Sequence, residues 1–447
     1  MTGKELLNWI TTPAAAAAFE PLYGAGGLET ARKRYTALVE GMLRGFSPGE
    51  FPETRGDVRF FTAPGRTELG GNHTDHNQGK VLAASIQLDA VALAAPREDN
   101  RVLFRSTGYP DVAVDLSDLS VQRGETGSTE ALVRGVAAEL VRRGTAVRGF
   151  TANADSVVLP GSGLSSSAAM EVLLGRIFDT LYGTEKRSAL ELAQIGQKAE
   201  NLYFGKPSGL MDQTACATGG AVAIDFADPH APRVQPINFD LSASGYTLCV
   251  VNTHGSHADL TPDYAAIPEE MKAVAAFFGK SVLREVSADQ VLSHGAELRK
   301  AAGDRAVIRA LHYFEENQRV EAMGKALKAV SAALSFREKQ GELARYLNLV
   351  NKSGDSSWEL LQNIYSPRAP REQGISLALS VTRQLLRDAG ACRVHGGGFA
   401  GTIQAYIPLD LLDSYRHQME GIFGAGAVTV LQIRPIGVEP VPLTPSP

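Results

Sequence analysis

The spacing of apolar residues changes several times along this chain, and those changes limit the folds open to it. Between residues 4 and 45, Leu6, Leu7 and Ile10, then Ala31, Tyr35, Leu38, Met42 and Leu43, recur at helical spacing, with a glycine-rich break from Gly24 to Gly27. From Val58 the pattern switches to short β-type runs, VRFFTAP, KVLAASI, DAVALAAP, RVLFRS and VAVDL, separated by Gly, Asn and Pro turns. Helical spacing returns over 128–143, 166–183 and 187–202, gives way to strand-like GGAVAIDF (219–226) and GYTLCVVNT (245–253), and resumes over 260–350. The segment GACRVHGGGFAGTIQAYIP (390–408) reads as strand, glycine turn, strand. Strands and helices mix without regular β-α-β alternation and without an internal repeat, so an α+β fold is expected rather than a doubly wound parallel sheet.

A chain of 447 residues exceeds what one hydrophobic core usually holds. Two domains are therefore expected, 58–230 and 231–440, divided near the Asp- and Pro-rich stretch 225–240. They would be preceded by a helical extension and turn-rich linker (1–57) and followed by a disordered Pro-rich tail (441–447). The net charge is only -5 and no basic cluster stands out, which disfavours nucleic acid and anionic membranes as partners. Cys216, Cys249 and Cys392 are widely spaced with no CxxC, which disfavours a zinc site or disulfide framework and fits a reducing cytoplasm. The start, MTGKELLNWITTPAAAAAF, is polar, with a short apolar run between Glu5 and Glu20, and matches neither a signal peptide nor a membrane span.

Three stretches carry chemistry. PGSGLSSSAAME (160–171) is a Gly/Ser turn opening an apolar-periodic helix, where unpaired N–H groups and the helix dipole favour phosphate. The hydroxyls of Ser165, Ser166 or Ser167 add ligands for phosphate or Mg²⁺, although a plain N-cap after a turn has the same pattern. It is neither a Walker loop nor a GxGxxG turn. APGRTELGGNHTDHNQGKVLAAS (63–85) packs Arg66, Glu68, Asn72, His73, Asp75, His76 and Asn77 between two strands, a density of hydrogen-bonding groups suited to a polyhydroxylated ligand. A polar hairpin capped by Asx turns is the plainer alternative. His73, Asp75 and His76 also offer metal ligands, but the histidines are three apart and no third ligand stands out. HGGGFAGT (395–402) holds four glycines in the six residues 396–401, which implies close backbone approach. HGGG also serves as an oxyanion motif in some esterases, but no G-x-S-x-G nucleophile turn exists in the chain, so a hydrolase is set aside.

Taken together and in chain order, the three stretches resemble the motifs of the GHMP kinase superfamily, and the first two resemble its galactokinase branch closely. APGRTELGGNHTDHNQGKVL is similar to a signature usually reading GRxNxIGEHTDYNxGxVLP, and PGSGLSSSAAMEV to the ATP loop. SGLMDQTACATGG (208–220) is similar to the CGIMDQ segment, and RVHGGGFAGT to R-x-T-G-G-G-F-G-G. The resemblance runs from Ala63 to Pro408. It implies a two-domain fold, ribosomal-S5-like then ferredoxin-like, with the site between the domains, and transfer of phosphate from ATP to the C1 hydroxyl of a galactose-like sugar. It further implies that Asp212 is the catalytic base, assisted by Arg66. Asn72, His73, Asp75, Gly209 and Tyr264 would hold the sugar. Pro160, Gly161, Ser162, Gly163, Leu164, Ser165, Ser166 and Ser167 would wrap the ATP phosphates, and Ser167 and Glu200 would bind Mg²⁺.

The chain departs from the family pattern in places. Asn72 replaces the Glu expected at the sugar's outer hydroxyls, Ser208 replaces Cys, His76 replaces Tyr and His395 replaces Thr. A basic stretch after Tyr264 becomes AAIPEEM, and a segment usually reading SCPELD becomes IYSPRAPREQ (364–373). A neutral Asn72 would tolerate a sugar carboxylate, and Ser208 would accompany a wider pocket, so galacturonate and N-acetylgalactosamine are alternative substrates. A non-catalytic sugar sensor is a further alternative, disfavoured by the complete serine loop.

Overall fold

The computed structural model describes residues 1–47, 58–158, 163–255 and 260–443. Pro160, Gly161 and Ser162 of the expected phosphate loop lie outside the described residues. The chain opens with three helices, α1 (Gly3–Ile10), α2 (Pro13–Tyr23) and α3 (Leu28–Gly45). The strands β1 (Arg59–Gly70), β2 (Lys80–Pro96), β3 (Arg101–Ser106) and β4 (Val112–Asp115) follow. After them come α4 (Thr129–Arg142), β5 (Phe150–Ser156), α5 (Ser166–Tyr182), α6 (Ala189–Lys198), α7 (Met211–Thr218), β6 (Ala221–Asp225) and β7 (Arg233–Ile237). These strands form one sheet in the order β1-β2-β5-β3-β4, with β6 and then β7 added beside the first half of β2. All the neighbours are antiparallel except β3 and β5.

The two runs KVLAASI and DAVALAAP are a single strand, β2. Its length lets it pair with β6 over Lys80–Ala84 and with β5 over Ala90–Pro96. Both faces of β1 and β2 are covered, so alternate residues enter different cores. Phe61, Ala63, Ala90, Ala92 and Ala94 face the helices α4 to α7. Phe60, Val91, Leu93 and Ala95 face α1 to α3, where Phe19 and Tyr35 pack at 4.5 Å and Tyr35 and Phe60 at 4.9 Å between ring centres. The N-terminal helices are thus a layer of the first domain.

The second half contains β8 (Tyr246–Asn252), α8 (Thr261–Phe277), α9 (Ala288–Ser293), α10 (Gly295–Ala301), α11 (Asp304–Ala332), α12 (Phe336–Ser356) and α13 (Gly374–Leu386). It ends with β9 (Ala391–His395), β10 (Thr402–Pro408), α14 (Leu412–Phe423), β11 (Val428–Leu431) and β12 (Glu439–Pro440). Its antiparallel sheet runs β11-β8-β10-β9. Helices α13 and α14 cover one face; α12 packs on the other. Side chains of α11 and α12 share one continuous core with both sheets, so the two halves are welded along these helices. The fold is α+β with two sheet-based halves.

The chain end corrects the expectation of a disordered tail from 441. Strand β12 pairs with β1, Val441 donates its N–H to the Phe60 carbonyl at 2.8 Å, and Val441 and Leu443 pack into the α1–α3 core. Residues 444–447 lie outside the described residues. Nearby, Asp89 of β2 is fully buried and accepts from Arg34 of α3, from Arg434 at 2.9 Å, from Tyr23 at 2.7 Å and from Thr62. Burial alone would raise the Asp89 carboxyl, but the two guanidinium charges outweigh it and hold its pKa below the ordinary value. Among the described residues, no helix is long and apolar enough to cross a membrane.

Removing one partner from such a cluster leaves buried charge uncompensated. Asp89→Ala is expected to cost about 3–5 kcal/mol, measured by urea unfolding against the parent chain.

Candidate active site

Strand β1 carries Arg66 and Glu68 to the edge of the first sheet, between two irregularities in its pairing with β2, at Pro64/Arg66 and Glu68/Gly70. The hairpin loop that follows is held tightly. Gly71 takes φ +98, and a Cβ there would lie 2.6 Å from the Lys80 carbonyl oxygen, so only glycine fits. Thr74 Oγ1 donates to the Lys80 carbonyl at 2.7 Å, and Asn77 Oδ1 accepts the Leu283 N–H at 3.1 Å. The loop is therefore presented as a rigid surface.

Arg66 and Asp212 meet in a bidentate pair, Nε to Oδ1 at 2.8 Å and Nη2 to Oδ2 at 2.7 Å. Asp212 sits in the first turn of α7, where the helix dipole also favours a carboxylate. Arg66 further donates through Nη1 to the Gly163 carbonyl, and its backbone N–H bonds the Leu164 carbonyl at 3.0 Å. Ser165, with φ +60, turns its hydroxyl onto Asp212 Oδ2. Burial would raise the Asp212 carboxyl; the charge of Arg66 and the bonds from Ser165 and Arg66 reverse this and hold it below the usual carboxylate range.

One turn into α5, Ser167 Oγ donates to Glu200 Oε1 at 3.1 Å. Glu200 lies on a wide π-type turn, Ala199–Phe204. Its carboxylate also accepts from Ser208, from Lys206 Nζ at 3.0 Å and from Gln213 Nε2 at 3.0 Å. Gln213 Nε2 also reaches buried Glu171 at 2.9 Å, whose carboxyl is pushed well up by burial and then by the charge of Glu200. Ser167 and Glu200 supply hard oxygens, the donor type Mg²⁺ takes alongside phosphate oxygens, so the pair fits the ion.

A cavity of about 260 Å³ opens among the hairpin loop, the Lys206–Gly209 turn, Asp212 and the glycine turn at Gly396–Gly397. Of the expected sugar residues, Asn72, His73, Asp75 and Gly209 border it. Tyr264 does not: its hydroxyl donates to the Gly398 carbonyl at 3.0 Å and its ring backs Gly397, so it braces the glycine turn from behind. The close approach implied by the glycines is to the hairpin loop and serine turn. Gly396 O accepts from Asn72 at 2.8 Å and Gly397 O from His73 Nε2 at 3.0 Å. A Cβ on Gly163 would lie 3.0 Å from His395 Nδ1. His395 itself is buried between the hydroxyls of Thr67 and Thr402, at 3.0 and 3.1 Å.

His73 donates through Nε2, so its Nδ1 is a lone-pair acceptor; it is buried and has no partner. The His76 ring lies 5.6 Å from that of His73. With Nε2 committed to a carbonyl, the metal reading of this loop has no support, and among the described residues no three His, Cys, Asp or Glu side chains group as metal ligands.

Asn72 differs most from expectation. It borders the cavity, but its amide is already used within the protein. Nδ2 donates to Gly396 O and to Glu68 Oε1 (3.3 Å), while Oδ1 accepts from Asn363 at 2.8 Å and Ser357 at 3.4 Å. In the family signature quoted above, Asn stands at position 68 and Glu at 72; here the two are exchanged. A Glu at 72 would set two carboxylates face to face. Glu68 instead pairs with fully buried Arg393 at 2.6 Å. The exchange is legible in the motif itself, but Lys206 was not marked, because its segment has no distinctive pattern.

Burial pushes the His73 pKa down to about 3, against about 6.5 in an unfolded chain. Between those values the unfolded chain binds more protons than the folded one, so stability falls as pH falls through that window. Urea midpoints are expected to drop from pH 7 to pH 5, and to drop less in His73→Gln. Buried His312, whose pKa is also lowered chiefly by burial, keeps part of the loss.

The comparisons with known proteins agree with this geometry. Residues 131–220 match the GHMP kinases N terminal domain and residues 49–96 the galactokinase galactose-binding signature. Among solved structures, Lactococcus lactis galactokinase complexed with galactose superimposes with a TM-score of 0.73 at 25% identity, covering 90% of this chain and 99% of that one. Methanococcus jannaschii mevalonate kinase, at 11% identity and a TM-score of 0.57, shares the fold over 85% of this chain and 99% of its own. The galactokinase of Mannheimia succiniciproducens is 31% identical over 360 residues, 79% of this chain and 86% of that relative; on that likeness, and on the motifs already described, the chain belongs to the galactokinase family of GHMP kinases.

Proposed function

We propose that this chain transfers the γ-phosphoryl group of ATP to the anomeric C1 hydroxyl of galactose or a closely galactose-like sugar. The observation that carries the reading is the bidentate Arg66–Asp212 pair, which faces the cavity and is joined to the serine turn through Gly163, Leu164 and Ser165. The sugar lies against the hairpin loop, where His73 and Asp75 line the cavity and the Asp75 carboxylate accepts from a hydroxyl. ATP lies along the serine turn, with Gly163 to Ser167 about its phosphates. Bound at Ser167 and Glu200, Mg²⁺ would neutralise phosphate charge.

In the transfer, the C1 oxygen forms the new bond to phosphorus and the bond from phosphorus to the ADP oxygen breaks. Asp212 orients the hydroxyl and takes its proton, and Arg66 stabilises the oxygen's growing negative charge. The lowered pKa makes Asp212 a weak base. That suits a loose transition state, in which the proton leaves late and passes on to solvent. The three cysteines are all buried and free, in keeping with a cytoplasmic kinase.

Two details favour an uncharged galactose-type sugar over the modified ones. The carboxylate absent at Asn72 is present at Glu68, which also lines the cavity, so a sugar carboxylate gains nothing from the exchange. The Ser208 hydroxyl is turned onto Glu200 and Asn201, so the replacement of Cys does not by itself create room for an N-acetyl group. A sensor without turnover is disfavoured, since Asp212, Arg66, Ser167 and Glu200 stand in mutual contact or linked through one loop.

Two measurements test the proposal. In a coupled ADP-release assay over galactose, N-acetylgalactosamine, galacturonate and glucose, galactose is expected to give the highest kcat/KM; faster turnover of galacturonate would reverse the substrate reading. Asp212→Asn is expected to lower kcat by at least ~10²-fold while sugar binding, measured by calorimetry, is retained.

A further inference from the structure

Each charged group that lines the cavity wall has a protein partner, but the partners differ in how firmly they hold it. Arg66 spends three donors on Asp212 and Gly163, with its side chain 7% exposed. Glu68 is held by Arg393, itself fully buried. Lys206 is the exception: its side chain is 60% exposed, and among the described residues its one ion pair is the 3.0 Å contact to Glu200, which is 2% exposed. The oxygen it touches, Glu200 Oε1, is the same oxygen that accepts from Ser167. The ammonium therefore rests on the carboxylate expected to hold the metal, while Lys206 itself lines the cavity together with Asp212.

We infer that Lys206 is a mobile catalytic cation for the phosphoryl group, and that Glu200 is its resting place when nucleotide is absent. This rests on the kinase reading above and names a further residue at the same site. ATP brings about four negative charges into a cleft whose buried cation, Arg66, is already committed. A long, solvated lysine chain with a single contact crosses from a carboxylate to a phosphate oxygen by rotating its own side-chain bonds, with no movement of backbone. That one swing places a positive charge on the transferring group and frees Glu200 Oε1 for Mg²⁺. It also keeps Glu200 paired in both states, which matters because an unpaired buried carboxylate is costly.

The test uses the full chain and two variants. Lys206→Gln keeps a donor for Glu200 but removes the charge; Lys206→Arg keeps the charge. The direct readout is calorimetric binding of ATP in excess EDTA, where no metal takes part. One lost charge-assisted contact to phosphate corresponds to about tenfold weaker binding in Lys206→Gln, with Lys206→Arg staying within about twofold of the parent. With Mg²⁺ present, Lys206→Gln is expected to lower kcat by about tenfold with the sugar KM unchanged. Metal-free ATP binding in Lys206→Gln equal to that of the parent overturns the proposal, as does a loss in sugar KM alone, which would make Lys206 a sugar contact. A parent chain that binds ATP in this lysine-dependent way yet phosphorylates no sugar would overturn the kinase reading and leave the Lys206 contact standing.

Discussion

The guanidinium of Arg66 is the interaction on which the site depends. Its three-way hold, on both oxygens of Asp212 and on the Gly163 carbonyl, ties a strand of the first sheet to the start of α7 and to the turn before α5. These three segments lie far apart in the sequence. A planar fork with fixed donor directions suits this task because it sets orientation as well as distance, which a lysine would not. The same contact also sets the chemistry, since the charge that positions the Asp212 carboxylate lowers its basicity.

Around that clamp the fold supplies two rigid walls. One is the hairpin loop, pinned by Thr74 and Asn77 to its own strand and to the segment at Leu283. The other is the glycine turn between β9 and β10, whose carbonyls accept from Asn72, His73 and Tyr264. Because the turn belongs to the second sheet and the loop to the first, the cavity exists only while both halves are docked. The shared packing of α11 and α12 against both sheets keeps them so. Buried ion pairs such as Glu68–Arg393 contribute little net stability by themselves, but breaking one is costly, and they fix which residues face which.

Much of this was legible in the sequence, for a physical reason. Arg66, Asp212 and Ser167 lie in stretches that resemble the family's motifs, Glu200 was picked out by the same resemblance, and the structure links the four through direct contacts and one loop. What was not legible depended on partners distant in sequence. Asp89 interrupts the apolar pattern of β2 and makes one strand look like two, because nothing nearby announces that Arg34 and Arg434 will neutralise it. Asn72 looked like a sugar contact because its own stretch is polar; its bonds to Gly396 and Asn363 lie some three hundred residues away. Tyr264 likewise spends its hydroxyl on Gly398, more than a hundred residues away. The Pro-rich end looked disordered because its composition says nothing of the apolar face left open by Phe60 and the first helices.

The return of the chain end to β1 has a consequence for how the molecule is made. During synthesis β1 and β2 emerge early, yet the strand that pairs the outer edge of β1 and one of the two cations beside Asp89 follow only some 345 residues later. Until then the sheet that bears Arg66 carries an open edge and a carboxylate short of a counter-charge, the kind of surface that chaperones hold and that nascent chains misjoin. Completion of this layer thus waits on residues far downstream, and a chain without Arg434 and β12 would lack the seal on the sheet that carries Arg66.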